Sequence, residues 1–224
     1  MLSGAGSNLA YNTLLNDYIK YHAVFFIEGS IFTILLAVLS VHFWWRFKKL
    51  RDIEARNWTF EKKVYFCFGL LSTIVALGML VIVLANLSSL FNPQEGFAQL
   101  IPDLSTQKVG IQKAVLYQAV NTWVQSGSAP IPTVLQNEVQ NRLLWQRPKA
   151  IVCSLFLAIF AMFTAYLWQE LISLRASNSI WRLKEKALLT MGIIALPVTL
   201  LLMVMALANT QASFAPITLT LLFS

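Results

Sequence analysis

The sequence predicts an all-α integral membrane protein: four transmembrane helices as two tandem helical hairpins, a parallel internal repeat, with short amphipathic helices on the outer face. Three observations predict it. Of 224 residues, 57% are hydrophobic and 12% charged, and the mean hydropathy is +0.64, where a soluble domain carries about twice that charge. Four runs are apolar over the ~20 residues that a helix needs to cross the hydrocarbon core. The chain also matches itself when shifted by 123 residues.

The runs are roughly 23–45, 64–87, 150–168 and 187–209, each bounded by charge or by aromatic side chains suited to the interface. Trp44, Trp45, Trp58, Trp145, Trp168 and Trp181 all fall near run ends. Ahead of the first run stands one basic residue, Lys20, and no small-residue cleavage site, which reads as an uncleaved signal-anchor. Lys and Arg set the orientation, because cytoplasmic loops retain the excess. The turn 46–63 holds Arg46, Lys48, Lys49, Arg51, Arg56, Lys62 and Lys63, and the turn 169–186 holds Arg175, Arg182, Lys184 and Lys186. The longer connection 90–149 has only Lys108, Lys113, Arg142, Arg147 and Lys149. Both termini and that connection are therefore expected outside the cell membrane, and the two basic turns in the cytoplasm at the lipid headgroups. The net charge of +7 is then an orientation signal and calls for no nucleic acid.

The self-match aligns Trp58 with Trp181, Lys63 with Lys186, Gly69 with Gly192, Val75 with Val198 and Leu84-Ala85-Asn86 with Leu207-Ala208-Asn209. It continues to Phe91 with Phe214 and Pro93 with Pro216. Trp, Gly, Asn and Pro do not align through apolar composition alone. At the same offset Trp45 lies over Trp168. The repeating unit is an outer amphipathic segment, a span inward, a basic turn, a span outward and a Phe-x-Pro exit. Residues 1–93 form the first unit, 94–132 an outer connection and 133–224 the second unit, which ends in an outer tail. An even number of spans per unit gives both copies the same topology, with a pseudo-twofold axis along the membrane normal.

Within the connection, Val109, Val115, Leu116, Ala119, Val120 and Trp123 recur at helical spacing and predict an amphipathic helix over 107–125. Gly127, Pro130 and Pro132 break it. A further outer segment restarts over 133–146, and 8–21 is its counterpart in the first unit.

Few residues invite chemistry. Glu28 is the one carboxylate well inside a span, and such acids serve as proton relays or ion ligands. Asn86 and Asn209 hold matched places near span ends, where an amide bonds across helices. His22 and His42 both belong to the first span, which excludes a bis-histidine haem held between two helices of one chain; they read as interfacial. Cys67 and Cys153 lie in apolar runs without CxxC spacing, so neither a disulfide framework nor a thiolate metal site is expected. Pro197 predicts a kink in the fourth span that its counterpart Ile74 lacks.

No nucleophile elbow, HExxH or phosphate loop is present. The expectation is a non-catalytic accessory, assembly or scaffold subunit without cofactor or metal. It would pack against other membrane subunits or copies of itself, in a setting such as a bacterial inner membrane. The alternative is a small homo-oligomeric transporter or channel, with Glu28 as its ionisable group and Ser30, Thr33, Ser72 and Thr73 along its route. An enzyme acting on lipid at the outer face ranks last.

Overall fold

The computed structural model describes residues 8–50, 58–98, 111–177 and 180–223. Their regular structure is helical: α1 (Leu9–Lys49), α2 (Phe60–Phe91), α3 (Ile111–Ser126), α4 (Thr133–Ser177), α5 (Leu183–Phe214) and α6 (Pro216–Phe223), with one short helical stretch at 93–98. Four of these, α1, α2, α4 and α5, are long and apolar enough to cross a membrane, which makes this a multi-pass membrane protein. A helix satisfies its own backbone groups where no water can. Only 11–28% of their most apolar windows is buried within the protein. On α1 the uncovered side chains Ile27, Ile31, Ile34, Val38, Val41 and Trp45 recur every three or four residues, a stripe suited to lipid.

The structure corrects several sequence boundaries. The outer segment 8–21 and the first span are one helix, α1, and the segment 133–146 and third span are likewise one helix, α4. Nothing between Tyr21 and Ala23 breaks a helix, and Pro148 lies inside α4 without ending it. At 1.5 Å per residue such helices reach about 60 Å, twice the hydrocarbon thickness. The basic turns also shrink, since α1 runs to Lys49 and α2 starts at Phe60. The connection helix begins at Ile111; residues 107–110 lie outside the described ones. It ends at Ser126 because Gly127 takes φ +64°, and the Gly127 N–H closes the last turn on the Trp123 carbonyl (3.1 Å).

The Phe-x-Pro exits act alike. α2 ends at Phe91 and α5 at Phe214, and Pro93 and Pro216 each open the next helix, where a missing N–H costs nothing. The expected outer tail is therefore the helix α6, whose Ile217, Thr218, Thr220 and Leu221 are buried.

The chain divides into two compact units, one drawn from 1–27, 83–150 and 207–224, the other from 28–82 and 151–206. The first has a core like that of a soluble domain. Ala10, Leu14 and Tyr18 of α1 pack with Phe97, with Leu116, Tyr117, Val120 and Trp123 of α3, with Leu135 of α4 and with Ile217 and Leu221 of α6. The second unit is built on helix pairs. Gly69 of α2 lies against the Trp44 indole and Gly192 of α5 against the Trp168 indole, so close that an added Cβ would meet the ring at 3.2 and 3.0 Å. Phe68 packs edge-on to Trp168 (centroids 4.9 Å) and Phe60 to Trp181 (5.5 Å).

Candidate functional site

In the first unit, polar side chains tie distant segments together. Asn8 caps α1 by accepting the Tyr11 N–H (2.9 Å) and donates its amide to the Val124 carbonyl at the end of α3 (2.7 Å). Asp17 is buried and accepts the Thr218 N–H in the first turn of α6 (2.6 Å). Ala215, which precedes that helix, has no side-chain acceptor, so α1 supplies the cap. Tyr117 donates its hydroxyl to the Leu221 carbonyl (3.0 Å) and Gln211 its amide to the Tyr21 carbonyl (3.0 Å). Neither Asp17 nor Gln211 was singled out from sequence, because an acid or amide near a span end carries no sign that it will face another helix.

Asn86, a sequence candidate, has His22 as its partner: Asn86 Oδ1 stands 2.8 Å from Nδ1, which as donor fixes the imidazole tautomer. The rings of Tyr18 and Tyr21 flank His22 edge-on at 4.5 and 5.1 Å. The signal for this pair was present, since His22 precedes the first apolar run and Asn86 closes the second, at the same end of a hairpin. Asn209 is half-buried, and its carbonyl accepts the Ser213 hydroxyl (2.8 Å).

In the second unit, Glu28 is half-buried on α1 beside the buried Gly29. Ser40 and Thr73 bond hydroxyl to hydroxyl between α1 and α2 (2.6 Å), Trp44 donates its indole N–H to Thr73 (3.1 Å), and Thr73 also bonds the Gly69 carbonyl (2.6 Å). Thr164 and Thr199 do the same between α4 and α5 (2.9 Å). Thr33 and Ser72, candidates for a transport route, donate to carbonyls one turn back in their own helices (2.7 Å each). These hydroxyls join helices or bond along them.

No family model matches the chain, and neither does any curated protein or solved structure. The site must be read from its own chemistry. Among the described residues no group of three or more His, Cys, Asp or Glu is placed to hold a metal ion.

The basic ends differ between hairpins. In the first, Arg46 donates to the Tyr65 hydroxyl (3.3 and 3.4 Å), and Lys49 lies over the Trp45 ring (5.0 Å). Lys62 is buried, bonds the Leu50 carbonyl (3.3 Å) and faces Phe47 (5.1 Å). In the second, Lys184 pairs with Glu170 (2.8 Å) and Arg175 with Glu185 (3.9 Å), while Arg175 covers the Trp181 ring (4.5 Å). Glu185 is fully buried and accepts the Arg182 N–H (2.9 Å), half of a capping box. Lys48 and Lys186 are exposed, and Arg51 lies outside the described residues.

Proposed function

We propose that this chain is a non-catalytic integral membrane subunit, an accessory, assembly or scaffold component that packs through its apolar helices against partners in a larger complex. The observation that carries the reading is the fate of the polar groups in the spans. Ser40, Thr73 and Trp44, and Thr164 with Thr199, bond across helix pairs, while Thr33 and Ser72 bond back along their own helices. What faces outward is apolar, such as the stripe on α1 and Ile151, Leu155, Ile159 and Met162 on α4. In membranes, packing and interhelical hydrogen bonds drive association, and a surface of this kind fits neighbouring helices and acyl chains.

The chain reads further as a duplicated hairpin. The bounds of α2, Phe60–Phe91, and of α5, Leu183–Phe214, stand 123 positions apart at both ends. For α1 and α4 the contacts favour an offset of 124: Ser40 corresponds to Thr164, and Trp44, not Trp45, to Trp168. One extra residue in the first basic turn accounts for the change: Trp44 and Gly69 are 25 positions apart, Trp168 and Gly192 only 24. The positive-inside pattern supports an orientation with that turn and its counterpart in the cytoplasm.

Gentle extraction of native membranes through an N-terminal tag, followed by native mass measurement, tests the role. The tag belongs at that end because α6 is packed into a core. The expected result is a particle with other subunits in fixed ratio. A particle of this chain alone would overturn the reading in favour of a homo-oligomeric transporter, and ion flux in liposomes with Glu28→Gln would then decide the role of that acid.

A further inference from the structure

The two basic ends share a scaffold but carry different charges at matched places. On the duplicated register proposed above, on which this inference rests, Arg46 occupies the place of Glu170, Lys62 that of Glu185 and Glu61 that of Lys184. In the second hairpin the protein supplies its own anions, Glu170 to Lys184 and Glu185 to Arg175. In the first, Arg46 rests on the hydroxyl and ring of Tyr65 and Lys49 on the ring of Trp45. Arg46, Lys48, Lys49 and Lys63 form no ion pair with any described residue.

Aromatic rings and a phenol hydroxyl hold a cation in place without neutralising it. A guanidinium has five N–H donors in a fork suited to phosphate, and Tyr65 engages two of its nitrogens. We propose that this end of the first hairpin is a binding site for an anionic phospholipid, whose phosphate is taken by Arg46 and Lys49 where the second hairpin has Glu170. The surroundings favour a lipid over a free anion. Trp45 is 55% exposed between the two cations and the apolar stripe, and Val38 and Val41 extend that stripe along α1 as a track for the acyl chains. Arg46 and Lys49 are one turn apart and face one headgroup.

The full chain, reconstituted in phosphatidylcholine with and without phosphatidylglycerol, gives the test, read as phosphatidylglycerol retained on the isolated protein by native mass spectrometry. Wild type should retain phosphatidylglycerol over phosphatidylcholine. Arg46→Gln with Lys49→Gln should lower retention about fivefold for each cation removed, whereas Lys184→Gln with Lys186→Gln should leave it unchanged. No preference in wild type, equal loss in both double variants, or displacement of the lipid by inorganic phosphate would each overturn the proposal. The wild-type and phosphate measurements stand even if a variant fails to fold. Since the isolated chain is used, the outcome is independent of whether partner subunits exist, and the register is tested separately by Leu196→Thr, at the position that it matches to Thr73.

Discussion

Trp44 sits against Gly69 and Trp168 against Gly192, yet among the described residues only one of the two indole N–H groups has an acceptor. Trp44 donates to Thr73, while Trp168 Nε1 is buried with no partner among the described residues. On the proposed register the position corresponding to Thr73 is Leu196, and Thr199, one turn further along α5, is engaged by Thr164. An unmet donor away from water costs more than the bond would contribute. Leu196→Thr should therefore supply the missing acceptor and stabilise the protein by about 0.6 to 2 kcal/mol, seen as a higher unfolding temperature in detergent. A lower temperature than wild type would mean that the 123-residue register does not carry over to side-chain contacts. Sequence exposed the glycine pair but aligned Trp45, and not the glycine-packed Trp44, with Trp168; on the proposed register, one inserted residue in a turn shifts a helix face by about 100° without disturbing hydropathy.

At the level of elements, apolar periodicity located the spans but not their ends. A helix continues past the membrane as long as nothing stops it, and residues such as Asp17 and Lys20 that mark the edge of a span do not break a helix. The Phe-x-Pro exits were legible because Pro ends one helix and opens the next for a local reason. The burial of α6 was not, since it depends on Asp17, about two hundred residues earlier, reaching its first turn. That contact makes a prediction. Asp17→Ala removes the cap and leaves buried N–H groups unmet, a loss of about 0.5 to 2 kcal/mol. Hydrogen exchange at 216–223 should rise well above that of α3 in the same variant. Equal protection in wild type and variant would show that α6 is held by Ile217 and Leu221 in the core and owes nothing to its cap.

At the scale of the whole molecule, charge is what bears on orientation. The positive-inside count predicts 46–63 and 169–186 in the cytoplasm. The unit that contains α3 and α6 has a core of Leu14, Trp123, Leu135 and Leu221. Ser126, the last residue of α3, is exposed, whereas Ala55 belongs to the first basic stretch 46–63. In a chain whose Cys67 and Cys153 are replaced, Ser126→Cys should react with a membrane-impermeant maleimide added to intact cells, and Ala55→Cys should react only after the membrane is opened. The reverse pattern would turn the molecule over. It would set seven basic residues of one turn against the positive-inside rule and take the proposed phospholipid site out of the inner leaflet.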